Sequence, residues 1–276
     1  MNDSPTTYRR AAVAGQFYPD APDVLEAAVD GYLDAATVEA APNRVAALIA
    51  PHAGYPYSGP TAGFAYARAR GMKPQRVILL GNSHRYQLDT ASIVTAGAFE
   101  TPMGDLQVDA PFAAKLAVHL ESTSAEPHVL EHALEVHLPF VRRVFGDVPI
   151  VPVLFGAHAG EWHTKAGETL AAISGPMDLL IASTDLSHYH EQHEANTLDA
   201  RSLDALLTMD VDAYIDHVAN GACLMCGSSA VVAAMAYAKA CGAEDWKLLD
   251  YRTSGEASGD YNSVVGYAAV SMECAA

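Results

Sequence analysis

Positive charge is scarce in this sequence. Lysine and arginine together number 16 against 33 aspartates and glutamates, a formal net charge of −17. That balance disfavours nucleic acid or an anionic membrane as the main partner, because both demand a cationic face. Cysteine is sparse too. Cys223, Cys226, Cys241 and Cys274 all fall in the last quarter, which is not the spread of a secreted disulfide framework. Long apolar runs are missing: no stretch of about 18 such residues is available to span a bilayer. Met1–Phe17 shows no charged-then-apolar leader. Linkers and internal repeats are absent as well. The expectation is a cytoplasmic protein with reduced thiols, folded as a single domain over residues 1–276. Apolar residues make up 50% of the chain, ample for one core.

What is present alternates. Short apolar runs read as buried strands and amphipathic stretches as helices, the pattern of an α/β fold with helices on both faces of a central sheet. Met1–Thr7 is polar and reads as loose chain. Arg9–Pro19 either docks on the fold or reaches the site. Helices are expected over Ala21–Ala36, Gly59–Arg70, Pro111–Leu120, Ala159–Ile173, Gln192–Leu207, Asp212–Val218 and Gly227–Ala240. Leu130–Phe145 has helical spacing, but Pro139 in its interior predicts a kink or two pieces. Ala91–Ala96 reads as a short strand and Phe99–Val108 as a hairpin arm. Pro149–Phe155 reads as an irregular or edge strand, because Pro152 cannot donate to a ladder. Trp246–Arg252 and Val264–Met272 close the sheet.

Three strands stand out by how they end. Val45–Ala50 breaks into Pro51 and His52, Val77–Gly81 into Asn82, Ser83 and His84, and Leu179–Ala182 into Ser183–His188. Ligands of open α/β sheets bind beyond the carboxyl ends of strands. Neutral imidazole is the commonest side-chain metal ligand, so His52, His84 and His188 suggest a shared metal or acid–base site. Asp185, three residues before His188, suits a base–orienter pair.

Cys226 precedes a helix, where the dipole favours thiolate over thiol. It reads as a nucleophile, a soft metal ligand, or a small buried apolar residue. With Cys223 it forms a lone CxxC. Glu131, His132, Glu135 and His137 form EHALEVH, which is not HExxH. They read either as groups orienting the metal ligands or as a solvated helix face, with Glu131 and Glu135 on one side of the helix. Tyr55 and Tyr57 line a pocket or simply pack. Arg85 is the one arginine placed near the site.

Several segments together resemble the Memo family, including the prokaryotic form called AmmeMemoRadiSam system protein B. They are AGQFYP (Ala14–Pro19), APHAGYPYSGPTA (Ala50–Ala62), LLGNSH (Leu79–His84), EHALEVHLPF (Glu131–Phe140), STDLSHY (Ser183–Tyr189), MCGSSA (Met225–Ala230) and VVGYAA (Val264–Ala269). The resemblance implies the fold of class III extradiol dioxygenases, which open catechol rings with Fe(II) on two His and one Glu. It places the two histidine ligands at His52 and His84 and the third ligand at Cys226, with His188 as acid–base residue and Asp185 in the same pocket. A thiolate softens the site, which admits copper beside Fe(II). Phe17 stands where relatives often carry Trp. The resemblance also implies association with radical-SAM and AMMECR1-like proteins. Three functions follow: a metal-dependent oxidoreductase, a metal-handling protein without catalysis, or a module that binds a peptide or protein in the same pocket.

Overall fold

In a computed structural model, residues 8–122, 124–156 and 158–275 are described. The loose chain expected at 1–7 lies outside the described residues. The chain opens with β1 (Tyr8–Arg9), α1 (Pro22–Ala35), β2 (Val45–Ala50), α2 (Tyr55–Arg68) and β3 (Arg76–Asn82). Three short strands follow, β4 (Ser92–Ile93), β5 (Ala98–Phe99) and β6 (Leu106–Gln107). Next come α3 (Ala110–His119), α4 (Leu138–Phe145), β7 (Ile150–Phe155), α5 (Glu161–Ile173) and β8 (Asp178–Ser183). The last third holds β9 (His188–His190), α6 (Gln192–Leu207), α7 (Val211–Ala219), α8 (Ser228–Ala240), β10 (Ala243–Thr253), α9 (Gly255–Ser258) and β11 (Val264–Cys274).

The main sheet has the order β10-β11-β2-β8-β3-β7-β4, with β9 pairing to β11. Its centre, β2-β8-β3-β7, is parallel. Antiparallel β10, β11 and β4 flank that centre, so the sheet is mixed. Every residue of β2, β7 and β8 is buried. Their largely apolar sequences, VAALIA, IVPVLF and DLLIAS, fit strands covered on both faces. The chain steps outward through β2, β3 and β7, then returns to lay β8 between β2 and β3. Right-handed crossovers require that reversal to use the opposite face. Accordingly α5 packs with α8 on one side, while α1, α2 and α4 pack together on the other. The reversal also sets the carboxyl ends of β2, β8 and β3 side by side, a switch point where open sheets bind ligands.

Several elements differ from expectation. Helix α2 starts at Tyr55 rather than Gly59, with Pro56 in its first turn, where a missing N–H is tolerated. Tyr55 therefore joins the core, its hydroxyl donating to Val136 O at 2.9 Å. Leu130–Phe145 does form separate pieces, as Pro139 predicted, but the break falls before Pro139 rather than at it. A 3₁₀ turn at Glu135–His137 leads into α4, and Pro139 sits in the first turn of α4. Glu131 lies outside both pieces, so Glu131 and Glu135 share no helical face. Strand β7 is not the edge: β4 pairs with Val153 and Leu154 and stops before Pro152, which has no N–H to offer. The closing strands are joined through α9 rather than by a simple turn. Among the described residues, no helix is long and apolar enough to cross a membrane.

Candidate metal centre

The register Ala50↔Ser183 and Leu80↔Ala182 aligns the three strand ends and therefore their loops. His52 is buried just past β2, its backbone N–H donating to Asp185 Oδ1 at 2.8 Å. Its Nδ1 lies 2.6 Å from Ser183 Oγ. Ser183 spends its only proton on Ala133 O, also at 2.6 Å. Its oxygen must therefore accept from His52, which assigns the proton to Nδ1 and leaves Nε2 with a bare lone pair. Burial first, then the neighbouring His132 and His84, holds the His52 imidazole well below its usual pKa. A neutral ring is the form that binds metals.

His84 is oriented by a different partner. Its Nδ1 lies 2.9 Å from Glu131 Oε1 and its backbone N–H donates to Glu131 Oε2 at 2.7 Å. Glu131 also accepts from the backbone of His132 at 2.9 Å and Ala133 at 3.0 Å. Burial pushes its carboxyl up, but the hydrogen bonds from His132 and His84 overcome this and hold it well below the usual carboxylate range. A carboxylate on Nδ1–H fixes the ring and makes Nε2 a better ligand.

Cys226 arrives from the sequence-distant start of α8. Gly227 makes the approach possible: its N–H donates to Thr184 Oγ1 at 2.9 Å, and a Cβ there would lie 2.2 Å from Ser183 O. The Cys226 N–H donates to Asp185 O and the Asp185 N–H to the sulfur, both at 3.2 Å. The sulfur stands 3.3 Å from His52 Nε2. The helix-dipole expectation fails here. Burial first, with Asp185 adding to it, pushes the thiol up to about 12 in the metal-free protein.

Ligand atoms of His52, His84 and Cys226 all lie within 4.8 Å of one another. A second group, His84, Glu131 and His132, meets the same limit. The His132 ring centroid is 5.3 Å from that of His52 and 4.6 Å from that of His84. Two bare imidazole nitrogens and one sulfur suit a borderline or soft transition metal such as Fe(II) or copper, so this donor set fits the expected ion.

The remaining candidates divide. Asp185 Oδ2 lies 4.0 Å from His52 Nε2. Its carboxyl is raised by burial, against the His52 N–H and the nearby His188. His188 is not in the three-ligand group; it lines a cavity of about 420 Å³ with Cys226, Leu186, Met225 and Cys223. Pairing of β9 with β11 holds it there. The next residue, Tyr189, is 77% exposed with φ 64°, strained backbone of the kind found at ligand sites. Tyr57 is exposed on α2, near the buried hydroxyl of Tyr267. Phe17 does touch the cluster, its ring 5.0 Å from His132, while its carbonyl accepts from Tyr55 N at 2.7 Å. The segment before Pro19 thus both docks and reaches the site.

Glu135 and His137 turn away. Glu135 binds the Arg9 guanidinium, the Ala12 and Val13 backbone and, at 2.6 Å, the Tyr18 hydroxyl. His137 Nδ1 is 3.0 Å from Tyr66 Oη, and burial lowers its pKa to about 3. Arg85 donates from Nε to Leu130 O at 3.1 Å and lines a separate hollow with His84 and His158. Sequence reasoning missed Ser183, whose role depends on strand register. It also missed Asn82, which bonds Gly156 O and Ala230 N and so clamps β3 to β7 and α8. The polar residues directly following each apolar run were the available signal.

Comparison with known proteins identifies the family. The sequence model of a family described as "Memo-like protein" matches residues 9–271. A MEMO1 family protein of Methanopyrus kandleri is 34% identical, over 95% of this chain and 98% of its own. MEMO1 family proteins of Archaeoglobus fulgidus and Methanocaldococcus jannaschii are also 34% identical, each over at least 95% of this chain. An uncharacterized protein of Escherichia coli K12, solved by crystallography, shares the fold at 13% identity, with a TM-score of 0.52 over 82% of this chain and 99% of its own. By its matching family model and its relatives over nearly the full length, this chain belongs to the Memo family.

Proposed function

We propose that this protein is a metal-dependent oxidoreductase acting on a small electron-rich substrate, with Fe(II) as the first choice of ion and copper as the second. The observation that carries the reading is the convergence of ring nitrogens of His52 and His84 with Cys226 Sγ, with each imidazole Nδ1 already engaged by Ser183 or Glu131. Three protein ligands would leave coordination positions open for small molecules, and such an ion supplies one-electron chemistry and binds O₂. The chain's own part is to position and protonate. His188, in the cavity that also holds Cys226, takes a proton from a substrate hydroxyl and returns it to the product. Asp185 fixes the His52 backbone and the Cys226 loop together, so the ligands arrive pre-set. Leu186 and Met225 line an apolar wall of the cavity, a fit for an aromatic ring.

The test is metal content after anaerobic purification, wild type beside a His52→Ala/His84→Ala double variant, followed by O₂ uptake with a panel of catechols. Near-stoichiometric iron that is lost in the variant, with substrate-dependent uptake, supports the proposal. Bound metal with no uptake across the panel points to metal handling. An apo wild type that takes up neither Fe(II) nor Cu(I) on reconstitution overturns it in favour of a binding module. His188→Ala should retain metal and lose turnover; loss of metal in that variant would make His188 a ligand instead.

A further inference from the structure

A second cluster of reactive side chains sits at the start of β2, one strand length from His52. Arg44 precedes β2, Cys241 follows α8, and Cys274 ends β11. The Cys274 N–H donates to Arg44 O at 2.9 Å, and pairing of Ala243 with Cys274 brings the end of α8 alongside. Both sulfurs face the same guanidinium: Cys274 Sγ is 4.0 Å from Arg44 Nη1, and Cys241 lies beside it. The Cys274 sulfur is also 3.5 Å from Cys241 O. Tyr237, one helical turn before Cys241 and fully buried, brings its hydroxyl close to Cys241 and to Ser174.

The hydrogen-bond balance of this cluster is lopsided. Arg44 Nε, Ser174 Oγ and Tyr237 Oη are all buried without a well-formed partner. Buried donors without acceptors are costly, and a neutral thiol is a weak acceptor. An oxygen attached to sulfur is a strong one. Both cysteines are only half-buried, within reach of a small oxidant.

We propose that Cys241 and Cys274 form a reversible thiol-oxidation site for hydroperoxides, in which Arg44, Ser174 and Tyr237 hold the oxidised sulfur. The Cys241 sulfur attacks the peroxide O–O bond. An S–O bond forms, the O–O bond breaks, and the leaving oxygen departs as water (or alcohol) with the thiol proton. Cys274 then displaces the sulfenic hydroxyl, forming the S–S bond and releasing water. Two thiols lose two electrons and two protons, and the peroxide gains them. Low-molecular-weight thiol reverses the reaction by exchange. The site shares no residue with the metal centre.

The experiment treats the full-length protein with hydrogen peroxide, blocks free thiols, and maps tryptic peptides without reduction. Cleavage at Lys239, Lys247 and Arg252 separates Cys241 from Cys274 and both from Cys223 and Cys226. The expected product is a Cys241–Cys274 cross-linked peptide that a thiol reductant removes. With Cys274→Ser, dimedone should trap a sulfenic acid at Cys241. Arg44→Met should slow loss of Cys241 alkylation about tenfold at an unchanged melting temperature. Peroxide that leaves both cysteines fully alkylatable, or dimedone labelling confined to Cys226, overturns the proposal.

Discussion

Glu131 and Glu135 stand four residues apart, are both buried, and are both saturated with hydrogen bonds, yet they serve different parts of the molecule. Glu131 receives His84, through ring and backbone, and the start of the next turn. Glu135 receives Arg9, two backbone N–H groups and Tyr18. One carboxylate orients His84; the other ties the N-terminal segment to the fold. A regular helix would have stacked them on one face. The 3₁₀ turn at Glu135 rotates them apart, so one short motif supplies both the site and its support. Arg9 links the two, donating to Glu131 O as well as to the Glu135 carboxylate.

That division predicts separable losses. Glu135→Ala should cost the most, on the order of 3–5 kcal/mol, because it leaves the Arg9 guanidinium buried and unpaired. Urea melts would measure it, and a loss below about 1 kcal/mol would reduce Glu135 to a surface-like role. Glu131→Gln should instead weaken metal binding by roughly 10–100-fold with a smaller change in the melt. Unaltered affinity in a competition titration would sever Glu131 from the site. Cys226→Ser should lower metal affinity by about tenfold or more, since a hydroxyl is a poorer ligand for a soft ion than a thiolate; unchanged affinity would remove Cys226 from the ligand set.

The last effect concerns pH. His128 packs beside this region, its carbonyl accepting from Arg9 and its Nε2 2.9 Å from Ser92 O. Burial lowers its imidazole to about 4 in the folded state. The unfolded chain therefore binds the extra proton first. Its contribution to stability is full above the unfolded pKa, about 6.5, and is lost as pH falls towards the folded value. Between those limits His128→Gln should flatten the pH dependence of unfolding by one proton, at most ~1.4 kcal/mol per pH unit. Equal slopes for variant and wild type would show that His128 titrates alike in both states.

Much of the frame was legible because it rests on local signals. The runs at Val45, Val77 and Leu179 are apolar throughout and end in turn residues, so both the strands and the histidines beyond them could be read. Helix α6 was expected over the residues it occupies. What stayed hidden depends on contacts far apart in sequence. Ser183 acts through the register of β8 on β2. His132 was named as a group that could orient the ligands or face solvent; that its ring packs on both His52 and His84 follows from the irregular chain before α4, which its helix-like spacing concealed. For Cys226 the helix dipole argued for thiolate, whereas burial beside Asp185 pushes the thiol pKa up. Each miss came from a tertiary contact outweighing a local rule.

The placement of β8 between β2 and β3 also sets a schedule. His52 and Cys226 are 174 residues apart, and the strand that wedges between the two histidine-bearing ones is made late. During synthesis the first two strands emerge without their eventual neighbour, and the sulfur follows later still. The three ligands can meet only after most of the polypeptide has left the ribosome, since such long-range closure waits on distant segments. Under the proposed function, metal loading would be an event of the nearly finished chain, and a truncated product ending before α8 would carry both histidines with no means of completing the set.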